Sequence, residues 1–396
     1  MKDAASPNKA RRKVRQRVLH TKLCDMLEIE YPIILAGMGG YAGPTLAAAV
    51  SNAGGLGVLG CSGMPLDIVV DMIRKTKSLT SRPFGVDVLM PLPVTAPGTE
   101  IPIPTKIELP ASQVAFVNQL RREFGIPKPK QSSSGDFFNA ELMKKTVEVC
   151  LEERVPVFVA GLGNPAWMVP QAHAQGMKVL ACVGNVRSAR RVAEGGVDIV
   201  VAAGYEGGGH TGRIGTMALI PQVVDAVYPT LVVAAGGIAD GRGLAASLAL
   251  GACGVWMGTA FIVSHEAHVD AVELGLMAQW EVDYWKQRIL ECTEEDTVVT
   301  RSYSGKTMRN LKNKWIQAWE RPDAPPTLPM PLQFMLCWNL MEGAREASIK
   351  DILLWPTGQI GGMIKELKSA KQIVDEMVEG AVGVLQETLT TEMTAK

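Results

Sequence analysis

The sequence has no surplus of either charge and no long hydrophobic run. Its 396 residues contain 40 Lys and Arg and 40 Asp and Glu, so the formal net charge is zero. A dedicated nucleic-acid-binding protein needs an excess of cations to neutralise phosphates, and this composition argues against one. No apolar run reaches the roughly 18 residues that a membrane-spanning helix requires. The composition therefore predicts a soluble protein with a small-molecule substrate, without nucleic acid or membrane as a partner.

Paired cysteine motifs are also absent. The seven cysteines are scattered, no C-x-x-C occurs, and several lie within apolar runs, as small buried side chains do. We therefore expect a reducing compartment, the cytoplasm, with no disulfide framework and no zinc site. His265 and His268 stand three residues apart without a third ligand, so no metal is predicted. The absence of G-x-S-x-G argues against nucleophilic catalysis.

The segment 1–22 is basic and contains one acid, Asp3. Its cluster of cations comprises Arg11, Arg12, Lys13, Arg15 and Arg17. No apolar segment follows, so the pattern is not that of a secretory signal. Charge runs of this kind are usually solvated, and we expect a disordered arm. A transit peptide is the alternative.

Short apolar runs that end in glycine or other small residues recur along the chain. They do not alternate apolar with polar residues, which is typical of strands buried on both faces of a parallel sheet. The predicted strands are Ile33–Ala36, Gly57–Leu59, Phe84–Leu89, Val157–Ala160, Lys178–Val183, Ile199–Ala202, Leu231–Ala235 and Gly254–Met257. Helix-like segments between them cover 44–53, 66–77, 140–153, 164–175, 186–194 and 243–250.

Eight strands joined by crossovers predict an α/β fold, a TIM (β/α)8 barrel formed by residues 23–264 and 346–396. A doubly wound open sheet is the alternative, although eight strands would make it large for this length. A proline-rich insertion at about 91–135 follows the third strand, and such long loops are usually functional or disordered. Tryptophan-bearing, helix-like stretches in 265–345 predict a smaller helical domain that caps the barrel.

Glycines cluster where the predicted strands end, on the face of a barrel that carries the active site. The loop after the seventh strand opens a helix, and its N–H groups can bind an anion together with the helix dipole. That loop contains Gly236, Gly237, Asp240 and Gly241. Gly258-Thr259 ends the eighth strand and offers further donors. Because the loops after strands seven and eight form the common phosphate site of barrels, we predict a bound phosphate here.

Two glycine patterns raise the alternative of a dinucleotide site. G-x-G-x-x-A begins at Gly37, and G-x-G-x-x-G begins at Gly207. A Rossmann site also needs an acidic residue about 20 positions later, at the end of the second strand, to hold the ribose. Gly60-Cys61-Ser62 stands there after the first pattern, and no acid ends a strand after the second. The patterns therefore do not favour a Rossmann site.

His210 follows the sixth predicted strand in the loop "GYEGGGHTG". A lone histidine is usually structural, but a loop this rich in glycine cannot pack the imidazole by itself. Glu206 and Arg213 are near in sequence and could tune its pKa. Histidine changes charge near neutral pH, so we predict an acid–base role for it.

Five separate stretches of the chain agree, in order, with one known family. They are "YPIILAGMGGYAGPTLAAAVSNAGGLGVLG", "PFGVDVLM", "GYEGGGHTG", "VVAAGGIADGRGLAASLALGACGVWMGTAF" and "PTGQIGGMI". Together they resemble the nitronate monooxygenase family, formerly called 2-nitropropane dioxygenases, and the resemblance covers roughly residues 22–265 and 340–390. The family, which includes FMN-dependent enoyl thioester reductases, has a TIM barrel that holds FMN under a smaller inserted domain.

The resemblance implies a role for individual residues. It places Met38 and Gly39 beside the flavin ring and Gly208 on the cofactor. Around the cofactor phosphate it places Gly237, Trp256, Met257, Gly258 and Thr259. His210 falls on the catalytic histidine of the family.

The chain departs from the family at three flavin-facing positions. Gly37 stands where monooxygenases usually have proline, and Asp87 and Ala203 replace the usual flavin-contacting asparagine and glutamine. A carboxylate near the flavin would disfavour its anionic reduced state, so Asp87 is expected to alter the redox preference.

The resemblance implies an FMN-dependent oxidoreductase that converts alkyl nitronates or nitroalkanes and O2 to carbonyl compounds and nitrite, with His210 as general base. The alternative keeps FMN and uses NAD(P)H to reduce a 2-enoyl thioester, with His210 as proton donor. A flavin-binding protein without turnover is a third hypothesis. A homo-oligomer is compatible with each of them.

Overall fold

The computed structural model describes residues 19–90, 108–130 and 140–389. Its strands are β1 (Ile33–Leu35), β2 (Gly57–Gly60), β3 (Phe84–Leu89), β4 (Val157–Leu162), β5 (Lys178–Val183), β6 (Ile199–Ala203), β7 (Gly209–His210), β8 (Leu231–Ala235), β9 (Gly254–Met257), β10 (Thr297–Thr300) and β11 (Met308–Leu311). Residues 1–18 of the basic segment lie outside these ranges. Residues 91–107 and 131–139, which include parts of the insertion, also lie outside them.

Eight of these strands form one parallel sheet in the order β1-β9-β8-β6-β5-β4-β3-β2. The two end strands meet through a parallel bridge between Ile34 and Leu56. The amide of Leu35 donates to the carbonyl of Leu56 over 2.9 Å, and the sheet is thereby closed. The predicted TIM barrel is confirmed, all eight predicted strands belong to it, and the open-sheet alternative is wrong.

Helices cover the barrel and build the cap. Their bounds are α1 (Lys22–Leu27), α2 (Pro44–Asn52), α3 (Leu66–Leu79), α4 (Ala111–Glu123), α5 (Ala140–Glu152), α6 (Val169–Ala174), α7 (Val186–Glu194), α8 (Thr216–Val227), α9 (Gly241–Ala249), α10 (Thr259–Ile262), α11 (Val269–Glu273), α12 (Gln279–Glu291), α13 (Lys314–Trp319), α14 (Leu332–Glu346) and α15 (Ala370–Gly383). Short 3-10 turns follow at Lys350–Ile352 and Gln359–Met363, and a π-helical turn at Val384–Thr388 continues α15. None of the described helices is long and apolar enough to cross a membrane.

Two helices differ from the sequence prediction for local reasons. The segment 164–175 becomes helical only at Val169, because the turn after Asn164-Pro165 precedes the helix. Helix α8 was not predicted because Pro221 lies inside it, and an internal proline normally interrupts the hydrogen-bond ladder.

Three apolar cores organise the molecule. The first fills the barrel interior and is closed at one end by α1, through Leu23 and Leu27. The second lies between the strands and the outer helices, including α15, so the C-terminal segment packs on the barrel. The third belongs to the cap and contains Trp285 and Trp315 at its centre.

The cap contains two strands as well as the predicted helices. Strands β10 and β11 pair antiparallel, and β11 also pairs with β7, which belongs to the loop after a barrel strand. Sequence reasoning predicted only helices in this segment, because β10 and β11 lack the apolar run with glycine at its end that marks the barrel strands. Helix α4, from the proline-rich insertion, adds Phe116 and Leu120 to the cap core. The packed cap therefore includes residues outside 265–345.

Candidate active site

Small side chains line the upper end of the barrel interior. The interior core contains Ile34, Val58, Val159, Leu180, Val201 and Val233. Because side chains alternate along a strand, the residue two positions later faces the same interior one layer higher. Those residues are Ala36, Gly60, Gly161, Cys182, Ala203 and Ala235. Cys182 is the only one of these six that is larger than alanine, and the same layer also receives Asp87 from β3 and Trp256 from β9. The small residues between these two larger side chains form a shallow floor on which a flat ring system can lie.

Asp87 on β3 belongs to this floor and lies between two glycines. Its neighbours Val86 and Val88 pack in the outer core, so the Asp87 side chain faces the interior, where it is 4% exposed. A Cβ atom at Gly37 would overlap the Asp87 side chain, and a Cβ atom at Gly161 would overlap its carboxyl oxygens. Gly37, the departure from the family's proline, therefore provides the space that Asp87 occupies.

The protonation of Asp87 is determined by its burial. Its Oδ1 atom has no hydrogen-bond partner among the described residues, while the Gly161 backbone amide donates to the carboxyl group. Loss of solvent outweighs that hydrogen bond and raises the pKa of Asp87 to about 8. The group is therefore a neutral carboxyl at pH 7 and can donate a hydrogen bond, as an amide can.

His210 is held at the edge of the floor by the cap. It lies on β7 opposite Met308 of β11, and its Nε2 atom is 3.0 Å from Oγ of Ser304. Burial of the imidazole, with a smaller contribution from the positive charge of Lys306, lowers the pKa of His210 to about 4. The ring is therefore neutral at pH 7. Glu206 does not tune it, because the Glu206 carboxylate accepts hydrogen bonds from the amide and hydroxyl of Thr216 at 2.9 and 2.8 Å.

A cavity of about 890 Å³ opens beside His210. Its barrel side is formed by the ends of β4, β5 and β6, including Gly161, Cys182 and Ala203 of the floor. Its cap side is formed by the turn between β10 and β11, with Met330-Pro331 behind it. The cavity therefore has a flat base, His210 in its side wall and the cap above it. A concave, covered space of this kind is typical of a small-molecule site.

The predicted phosphate loops meet around Gly207 and Gly208, among residues that do not line the cavity. Gly236 and Gly237 have φ values of +91° and +76°, a left-handed conformation that favours glycine, and Gly237 is exposed. Gly358 joins them: its amide donates to Oγ1 of Thr259 over 2.9 Å, and a Cβ at Gly358 would be 3.2 Å from the amide nitrogen of Gly208. Sequence reasoning gave Gly358 no role, although it stands in the "PTGQIGGMI" stretch.

Two predicted cofactor residues also have structural contacts. The Asp240 carboxylate caps α9, accepting from the Arg242 amide over 3.0 Å, and also pairs with the Arg242 guanidinium. Gly241 is buried where α9 crosses α15, and a Cβ there would overlap the backbone of Gly380 and Ala381. Their place in the phosphate site stays a prediction, because backbone N–H groups would bind the phosphate and these contacts use the Asp240 carboxylate and the space at Gly241.

The remaining predicted cofactor residues differ in whether their side chain or only their backbone can face the site. The sulfur of Met38 lies 3.6 Å from where a Cβ at Gly258 would be, and space around Gly39 is open. Trp256 packs against the interior core and is half-buried. Met257 packs in the outer core, so only its backbone can face the site. Among the described residues, no group of three or more His, Cys, Asp or Glu side chains could hold a metal ion.

Comparisons with known proteins agree with this architecture. The family model for nitronate monooxygenase matches residues 20–380. The chain belongs to the nitronate monooxygenase family. A Mycobacterium tuberculosis relative named as a putative monooxygenase is 36% identical over 386 residues, covering 93% of this chain and 99% of that protein. A probable nitronate monooxygenase of Staphylococcus saprophyticus is 32% identical, covering 92% and 98%.

Solved structures place this nitronate monooxygenase family member among barrel oxidoreductases. FabK from Thermotoga maritima superposes with a TM-score of 0.71 at 32% identity, covering 95% of this chain and 100% of that one. A nitroalkane oxidase from Streptomyces ansochromogenes superposes with a TM-score of 0.74 at 28% identity, covering 91% and 99%. The chain is an enzyme, an FMN-dependent oxidoreductase of this family, and the hypothesis of a flavin-binding protein without turnover is not retained.

Proposed function

We propose that the chain oxidises alkyl nitronates with O2 to carbonyl compounds and nitrite, with FMN over the small-residue floor. The observation that carries the proposal is the neutral imidazole of His210 in the wall of a capped cavity above that floor. Family membership supports the reaction class, and the nitroalkane oxidase with a TM-score of 0.74 supports the substrate class.

Two independent observations support FMN as the cofactor of this site. The floor leaves room for a flat ring, and the unpartnered Oδ1 of Asp87 is a buried polar atom that lacks a hydrogen-bond partner within the described ranges. The exposed backbone at Gly208 and Gly237, with Gly258 beside Met38, would hold the phosphate. The chemistry that FMN supplies when bound is two-electron exchange with the substrate and O2.

His210 would orient the substrate and accept its α-proton where the substrate is a nitroalkane. Oγ of Ser304 can accept from the Nε2–H group while it donates to the carbonyl of Lys306 over 3.2 Å, which leaves the lone pair on Nδ1. A base with a pKa of about 4 is always deprotonated at pH 7 but takes protons with little driving force. We therefore expect preformed nitronates, which need no deprotonation, to react faster than the parent nitroalkanes.

The second candidate is an NAD(P)H- and FMN-dependent 2-enoyl thioester reductase. It is favoured by the cations that line the cavity, Arg191, Arg213, Arg301 and Lys306, because a short-chain nitronate does not need so many. In this reaction His210 would hold the proton that is delivered to the substrate after hydride transfer.

One experiment tests the proposal against this second candidate. FMN-loaded protein is mixed anaerobically with propyl nitronate and, separately, with NADPH, and flavin absorbance is followed. We expect rapid bleaching by propyl nitronate, slower bleaching by the parent nitroalkane, and slow bleaching by NADPH. Fast bleaching by NADPH, without bleaching by propyl nitronate, would contradict the proposal and indicate the reductase.

Substitution of His210 tests its role in the same assay. We expect His210→Asn to keep FMN and to lower turnover of the nitroalkane by about 10²–10⁴-fold, the range for a lost acid–base group. Ser304→Ala should lower it less, because the imidazole remains but loses its orientation. His173→Asn is the matched control, since His173 is exposed and pairs with Asp198 away from the site. Unchanged turnover in His210→Asn would remove this residue from the mechanism.

A further inference from the structure

The cavity beside His210 has a one-sided charge that its proposed reaction does not use. Its charged lining residues are Arg191, Arg213, Arg301 and Lys306, and no aspartate or glutamate of the described chain lines it. The whole sequence has equal numbers of basic and acidic residues, so this is a local segregation of charge. Segregated cations in a cleft concentrate anions there.

The four cations come from three separate parts of the fold. Arg191 lies on α7, Arg213 lies in the loop after β7, and Arg301 and Lys306 lie in the cap turn between β10 and β11. Barrel and cap therefore contribute cations to one space. The other groups on the wall are mostly neutral, and they include the hydroxyls of Ser188 and Thr307.

These cations have no acidic partners within the described ranges. Ion pairs are formed by other arginines, namely Arg74, Arg242, Arg321 and Arg345, all of which lie outside the cavity. Lys306 is half-buried, and burial without a compensating acid lowers its pKa. Arg191, Arg213 and Arg301 are exposed around the cavity, so their guanidinium groups are free to bind an anion that enters it. For Lys306, a bound anion would also offset the cost of burial.

We propose that Arg191, Arg213, Arg301 and Lys306 form an anion subsite for the phosphate groups of a substrate or co-substrate whose reactive end reaches His210. The inference rests on the proposed function, because it uses the same cavity and the same histidine. Guanidinium groups bind phosphate oxygens in bidentate fashion, and an ammonium group adds a point charge. The subsite would add to the nitronate site a preference for molecules that carry a phosphate group at the end remote from His210.

The phosphate of FMN is the other source of the same chemistry. Its expected position is at Gly208, Gly237 and Thr259, and none of these residues lines the cavity. We therefore assign the four cations to the substrate side, and the test separates the two sources.

The test measures anion binding to the FMN-loaded full-length protein. Inorganic pyrophosphate and ADP are titrated at low ionic strength, and binding is followed by calorimetry and by the difference spectrum of the flavin. We expect saturable binding that weakens as salt is added. In the Arg213→Gln/Arg301→Gln variant, both dissociation constants should rise about 10- to 100-fold, as expected when charge-assisted hydrogen bonds are lost.

The matched control is Arg190→Gln, because Arg190 is exposed on the same helix as Arg191 but does not line the cavity. Its dissociation constants should stay within about twofold of the parent protein. The absence of saturable binding, or an equal loss in the control, would overturn the subsite. A fall in FMN affinity of the double variant without a change in pyrophosphate binding would assign the cations to FMN instead.

The outcomes are separable from those of the proposed function, because pyrophosphate and ADP are bound and not turned over. Anion binding together with an inert response to propyl nitronate would overturn the nitronate assignment alone. Nitronate oxidation without anion binding would overturn the subsite alone. ADP binding much tighter than pyrophosphate binding would indicate a nucleotide, and the reverse order would indicate a phosphate recognised without its nucleoside.

Discussion

The carboxyl group of Asp87 and the imidazole of His210 are both uncharged at pH 7 for one physical reason. Loss of solvent disfavours a charged form, so it raises the pKa of the acid to about 8 and lowers that of the base to about 4. The negative charge that the sequence suggested beside the flavin therefore develops only above about pH 8. Below that pH, Asp87 resembles the asparagine of the family in charge and in hydrogen bonding.

Replacement of Asp87 by asparagine should stabilise the fold in a pH-dependent manner. The unfolded aspartate loses its proton near pH 4, whereas the folded one keeps it to about pH 8, so the stability of the parent protein falls as pH rises through this interval. A neutral amide at this position would not show this loss. We expect Asp87→Asn to raise the free energy of unfolding by on the order of a few kcal/mol at pH 8 and by little at pH 5, with a matching rise in the thermal midpoint.

Scanning calorimetry at the two pH values measures this difference. Asp225→Asn is the control, because Asp225 is exposed on α8 and its substitution should change the midpoint equally little at both pH values. An equal gain at pH 5 and pH 8 in the Asp87 variant would show that the carboxyl ionises normally in the folded protein.

At the scale of elements, the short sheet formed by β10, β11 and β7 connects the cap to the loop that carries His210. Arg309 on β11 is 2% exposed, donates to the carbonyl of Tyr205 over 3.1 Å, and lies 4.5 Å from the centre of the Tyr205 ring. It also donates to the hydroxyl of Thr297 on β10 over 3.0 Å. One guanidinium group therefore joins two cap strands to the histidine loop.

Arg309→Lys should loosen this connection while keeping the charge. A lysine cannot reproduce the planar set of donors, so the Tyr205 carbonyl would lose a buried partner at a cost of about 1–3 kcal/mol. We expect a lower thermal midpoint and a several-fold lower kcat with FMN content unchanged, because the histidine loop is positioned less firmly. Arg187→Lys, at an exposed position of α7, should alter neither quantity. Full activity with a normal midpoint would exclude Arg309 as a positioning residue.

At the scale of the whole molecule, the chain returns to the barrel after the cap and closes its outer wall with α15. The contact with α9 is close because Gly241 faces Gly380, with no room for a Cβ atom between them. The glycine that the sequence suggested for phosphate binding thus serves the packing of two helices that are distant in the chain.

Gly241→Ala separates packing from phosphate binding. Overpacking of a tight contact costs about 1–3 kcal/mol, which corresponds to a fall of a few degrees in the thermal midpoint. FMN affinity should change less than threefold. Gly383→Ala, on α15 with open space around it, should leave the midpoint the same or slightly higher. A loss of FMN affinity in proportion to the loss of stability would indicate that Gly241 also contacts the FMN phosphate.

Local patterns in the sequence were sufficient for the barrel and for part of its site. Strands buried on both faces appear as continuous apolar runs, and glycines appear where such strands end, so the eight strands and the loops around His210 and Gly237 could be located. Pro221 argued against a helix at α8, and β10 and β11 lack the apolar run with glycine at its end that marks the barrel strands. The cofactor, the histidine's catalytic role and the family came from resemblance between whole loops.

The sequence by itself determined which segments would be the eight barrel strands, because strands buried on both faces of a parallel sheet are mostly apolar. It could not determine the charge on Asp87, the packing of Gly241 against Gly380, or the presence of Arg213 and Arg301 on one cavity. Each of these depends on atoms brought together from distant positions: burial sets a pKa, a crossing helix takes up space, and a cap turn brings its cations over the barrel. Tertiary structure decided these properties because solvent exclusion and charge proximity act through space and not along the chain.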